Sequence, residues 1–156
     1  MPDQNLQRLV HKNLMYSIRT IKGSELFKHI YVRDKRDGHE FDALDNGSSA
    51  CAYTVSGVLA LHGLIDHPHA TVATTVQHMQ KAGWVKTIDP QPGDVVQWAA
   101  HNDHMHMALY VGGDRAVGNS TAGRKVVEHS TTLEDGREPI AFYTHPELRA
   151  DSSQVD

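Results

Sequence analysis

The sequence predicts an α+β fold, with helices packed on an antiparallel β-sheet, from two changes of grammar along the chain. Apolar residues recur at three- and four-residue steps up to about Gly83, then give way to short β-branched runs separated by turn residues. Helices first and a meandering sheet second is the pattern of an α+β domain. At 156 residues the chain is long enough for one domain with a proper core, which we place at residues 1–148, with a polar tail at 149–156.

Leu6, Leu9, Val10, Leu14, Ile18 and Ile21 predict an amphipathic helix over residues 4–21, ended by Gly23. Ser24 and Glu25 can restart a short element through Leu26, Phe27, Ile30 and Val32. The charged stretch from Arg33 to Asp45, with Gly38 inside it, reads as an exposed loop. Asn46-Gly47-Ser48-Ser49 then offers loop and N-cap residues before a helix that starts near Cys51 and ends near Gly63. Pro68 lies in a turn, and a further helix starts at Ala70 or Thr71 and closes at Gly83. Strands follow at Val95–Trp98, His106–Val111, Ala116–Asn119, Lys125–Glu128 and Ile140–Tyr143, with Gly112-Gly113-Asp114 as a hairpin turn.

Composition narrows the function classes. A net charge of -4 gives no electrostatic reason to expect nucleic acid as a partner. No apolar run reaches the length of a membrane span, and the first residues lack the basic start and apolar core of a secretory signal. The expected location is therefore cytoplasmic, with any export by another route. A single cysteine excludes an internal disulfide.

That cysteine is the chemical focus. In the first turn of a buried helix, free amides and the helix dipole favour its thiolate, so Cys51 is a candidate nucleophile with a thiol pKa expected below the ordinary value. The alternative is plain core packing, common for a lone cysteine. Twelve histidines are the compositional oddity, and His101, His104 and His106 cluster within six positions. With Asp103 they form a candidate zinc module, a rival reading of a different class. His11, His29, His39, His62, His67, His69, His78 and His145 read as surface or satisfied core residues.

Pro92-Gly93-Asp94-Val95-Val96-Gln97-Trp98, followed by His106-Met107-Ala108-Leu109-Tyr110-Val111-Gly112, resembles the second half of NlpC-type cell-wall cysteine peptidases, a papain-like family. The resemblance covers about residues 46–130 and implies a papain-like fold and cleavage of an amide bond in a peptide or peptidoglycan fragment, with no cofactor. Its order of helix-borne cysteine, strand-borne histidine and polar residue on the next strand is matched by Cys51, His106 and Asn119. Cys51 would be the nucleophile, His106 the general base and acid, and Asn119 the residue that orients the imidazole. Asn119 also fits a turn role, and His129 is the alternative orienting residue. Asp94 reads as a cap of its turn. Many family members carry an aspartate before the cysteine that receives the free amine of the stem peptide, whereas Ala50 stands here. A member that keeps the fold for binding without catalysis is a third reading.

Overall fold

A computed structural model of the protein describes residues 3–150. It is an α+β structure in which helices cover one face of an antiparallel sheet. The elements are α1 (Val10–Thr20), β1 (Tyr31–Arg33), β2 (Glu40–Asp42), α2 (Cys51–Leu61), α3 (Val72–Lys81), β3 (Val85–Thr87), β4 (Val95–His101), β5 (His104–Gly112), β6 (Arg115–Asn119), β7 (Val126–Ser130), β8 (Ala141–Thr144) and α4 (Pro146–Ala150). Six strands form the main sheet in the order β3-β8-β4-β5-β6-β7, and β1 pairs with β2 as a separate hairpin. No helix among the described residues is long and apolar enough to cross a membrane.

Alternation along the strands divides the sheet into two faces. Val95, Met107, Leu109, Val117 and Val126 point into the main core with Leu14, Val55, Leu59 and Met79 from the helices. Val96, Trp98, Ala108 and Ala116 form a smaller cluster on the other face, where Leu133 and Phe142 pack against it. The indole of Trp98 donates to the carbonyl of Thr131 at 2.8 Å, fastening the 131–140 segment over this second face. Trp98 is wholly buried and belongs to the core.

Gly57 is required inside α2, because a Cβ there would stand 2.4 Å from the ring of Phe27. This close approach lets Phe27 pack edge-on against Tyr53 of the same helix, with centroids 5.6 Å apart.

Several sequence expectations are corrected. α1 starts at Val10 and not at residue 4, because Leu6 and Leu9 are exposed and have nothing to pack against. Periodicity without a facing surface does not stabilise a helix. The Ser24–Ile30 stretch forms turns, with the Leu26 amide donating to the Ser24 hydroxyl at 3.0 Å. The charged Arg33–Asp45 segment contains β2, and its ends are tied by Asp42, whose carboxylate accepts from the amides of Ile30 and Leu44 at 3.0 Å each. The N-cap of α2 is Ala50, which offers no capping side chain.

The expected tail boundary at 149 cuts into α4. Arg149 donates to the buried carboxylate of Asp94 at 2.8 Å, and the Asp94 carboxylate also accepts from the Gln91 amide at 2.8 Å. Asp94 therefore caps its turn as expected, and it holds the end of α4 as well. The rest of the expected tail, residues 151–156, lies outside the described residues.

Candidate active site

Cys51 opens α2 and is half-buried at the floor of a cleft of about 850 Å³. The helix starts here because the preceding chain turns sharply: Asp45, Asn46 and Gly47 have φ of 49°, 52° and 84°. This left-handed run is clamped from β6 and the turn after it. Asn119 Nδ2 donates to the Gly47 carbonyl at 2.8 Å, and the Arg124 guanidinium donates to the carbonyls of Asp45 and Asn46 at 3.4 Å each. A side chain at position 47 would meet Lys28 Cγ at 2.8 Å, so glycine serves both the backbone angle and the space.

The Cys51 thiol donates to the Met105 carbonyl at 3.8 Å, and the Met107 amide faces the same sulfur. The sulfur is thus held against the two residues that flank His106. Burial pushes the Cys51 thiol up, opposed by the amides of Met107, Ala52 and Cys51 itself. The sequence expectation of a lowered thiol is overturned because desolvation outweighs the amides at the helix start.

His106 leaves β5 on the face of the sheet that carries Trp98. It lies opposite Trp98 in the β4–β5 pairing, with ring centroids 4.9 Å apart. Its Nε2 is 3.5 Å from Nε2 of His129, and the His129 ring also packs on Trp98 at 5.7 Å. Burial is the main cause that lowers the His106 pKa to about 3, helped by the positive fields of His129 and Arg137. The ring is neutral at physiological pH.

The tautomers follow from one fixed partner. His129 Nδ1 is 2.8 Å from the Ser130 carbonyl, which can only accept, so this nitrogen carries the proton. When His129 carries only that proton, its bare Nε2 faces His106, and the proton between the two rings belongs to His106 Nε2. In that form the lone pair of His106 is left on Nδ1, where a proton can be received.

Asn119 does not orient His106. It follows Val117 by two positions on β6, so it lies on the helix face of the sheet, and its amide is spent on Gly47. His129, the alternative, is the residue that reaches the imidazole. Cys51 and His106 line the same cleft, yet no hydrogen bond joins them among the described residues.

The histidine-rich hairpin does not gather a metal site. Among the described residues, the one group of three or more metal-ligating side chains that converges is Asp66, His67 and His69, away from His101, Asp103, His104 and His106. The chain between β4 and β5 turns through Asn102 and Asp103, at φ of 50° and 62°. Arg137 clamps that hairpin by donating to the carbonyls of Ala99 and His104. Arg137 also borders the cleft, a position no local pattern signals, since it comes from the irregular 131–140 segment.

No protein-family model matches the chain, and no curated protein sequence matches it.

Proposed function

We propose that the protein is a papain-like, NlpC-type thiol hydrolase that cleaves an amide bond in a peptidoglycan peptide. The observation that carries this reading is the seat of Cys51: a helix-start thiol at the floor of a cleft, its sulfur against the peptide groups on either side of His106. Cys51 is the nucleophile. The amides of Cys51 and Ala52, uncapped by any side chain, are donors for the negative charge that develops on the substrate carbonyl oxygen.

Thiol and imidazole both rest uncharged and line one cleft without a hydrogen bond between them, so His106 acts as a general base through Nδ1 once ring and sulfur are brought together. The S–C bond forms while the thiol proton passes to His106. That proton then goes to the leaving amine as the C–N bond breaks, and water releases the acyl group from Cys51. His129 holds the other ring nitrogen. Because the His106 ring leaves β5 on the face away from α2, this chemistry requires the ring to move toward the sulfur when substrate fills the cleft, a requirement that the binding reading does not make. With Ala50 in place of an aspartate, acidic groups at the cleft come from Asp103, Glu128, Glu134 and Asp135 instead.

A second reading, a binding protein built on the same fold, is favoured by the raised thiol and by the missing Cys51–His106 hydrogen bond. Incubating the protein with defined muropeptides, and following amide cleavage by mass spectrometry, separates the two. Turnover by the parent, with losses on the order of 10³-fold or more in Cys51→Ala and in His106→Ala, is expected for the hydrolase. Tight muropeptide binding without turnover would replace it with the binding reading.

A further inference from the structure

Away from the cleft, the turn between α2 and α3 collects three imidazoles around one carboxylate. Asp66 Oδ2 lies 3.0 Å from His67 Nδ1 and 2.7 Å from His78 Nδ1, and Oδ1 lies 2.9 Å from His69 Nε2. The rings crowd together, with centroids 4.2 Å apart for His67 and His69 and 4.0 Å for His69 and His78. The ligand atoms of Asp66, His67 and His69 all fall within 4.8 Å of one another. A tetrahedral zinc with arms of about 2.05 Å has edges of about 3.3 Å, close to the carboxylate–imidazole separations. His78 stands outside the group of three and reaches it through Asp66 Oδ2, so an ion that replaces the N–H protons draws the imidazoles, His78 foremost, toward one another.

The cluster is also supported from behind, as a ligand set must be. His69 is buried, its side chain 6% exposed. Its amide donates to the Ser56 hydroxyl at 2.8 Å, and that hydroxyl lies 3.1 Å from the His69 carbonyl, so α2 grips this residue at both backbone groups. His78 is set in the last turn of α3. Asp66 and His67 are more exposed, at 45% and 63%, and leave an entry path. Imidazole nitrogens with one carboxylate suit zinc and its neighbours in the first transition row and not calcium or magnesium, which take oxygen shells.

We propose that Asp66, His67, His69 and His78 form a four-coordinate site for a zinc-class divalent cation. With all four positions filled by protein, the ion is structural: it ties the α2–α3 turn to α3. The segment just after His69, Ala70 to Val72, is a wall of the cleft, so the ion fixes that wall. This assignment is independent of the chemistry proposed for Cys51.

The test is titration of the metal-stripped full-length protein with cobalt(II) and zinc(II), read by visible absorption and calorimetry. Stoichiometric binding is expected, with the intense visible bands of a four-coordinate cobalt. His67→Gln and His78→Gln should each weaken it at least about 100-fold, since losing a ligand costs no less than losing an outer-shell partner. Cys51→Ala and His104→Gln should bind as the parent does. His67 stands on an exposed turn, so its replacement leaves the fold intact and its result stands alone. Absence of one-to-one binding, binding indifferent to His67→Gln, or binding lost in His104→Gln would overturn the site.

Discussion

At His106, burial and the field of a neighbouring imidazole act in the same direction, with His129 Nε2 3.5 Å from His106 Nε2. Replacing His129 with Phe keeps a ring against Trp98 but removes the positive field. The His106 pKa should rise from about 3, though not to the ordinary value, because burial persists. An NMR titration of the His106 ring checks this, and no movement would detach His129 from His106. Asn119→Ala makes the contrasting case. It should leave the His106 titration unchanged while costing about 1–2 kcal/mol in urea denaturation, since the buried Gly47 carbonyl loses its donor. A neighbour in space on the correct face separates His129 from Asn119. That face was readable in principle: strand period two puts Asn119 with Val117 and His129 opposite Ala116, but only once the register is known.

Elements were legible where periodicity coincided with burial. The Cys51 helix and β4, β5 and β6 were predicted within a few residues, because their apolar positions do face the core. The β1–β2 hairpin was not, since three-residue strands of charged and exposed side chains carry no apolar alternation, and Asp42 holds them through backbone amides. The convergence at Asp66 was hidden for a different reason. His67 and His69 are close in sequence, but His78 arrives through the geometry of α3. α4 was missed because it is five residues long and fixed by a tertiary ion pair. Arg149→Ala should destabilise the protein by about 3 kcal/mol, because the Asp94 carboxylate is wholly buried and would lose its counter-charge. A urea midpoint equal to the parent's would mean that the Gln91 amide alone satisfies Asp94.

For the molecule as a whole, titration sets an acid limit. His62 and His106 are both lowered by burial, so between the unfolded histidine pKa near 6.5 and their folded values the unfolded chain binds protons that the folded one refuses. Stability therefore rises with pH across that window and is lost as pH falls through it. His106 alone contributes a slope of about 1.4 kcal/mol per pH unit. Asp42 and Asp66 act in the same sense further down: their carboxyls are held below the usual range, Asp66 by His69 foremost, and their stabilisation disappears as they protonate. Denaturation midpoints should fall steadily from pH 6.5 to pH 4, and His106→Gln should flatten the slope; a flat profile in the parent would contradict burial of these rings.

Ala50 bears on how this fold would drift under selection. A serine or aspartate N-cap commonly adds about 1 kcal/mol over alanine, so a population screened only for heat resistance would accumulate cap-forming changes at position 50. Each such gain would place a side-chain oxygen on the Ala52 or Tyr53 amide, a contact that the first turn of α2 lacks. Survivors of a thermal screen should carry, at the start of α2, the cap that the present chain does without.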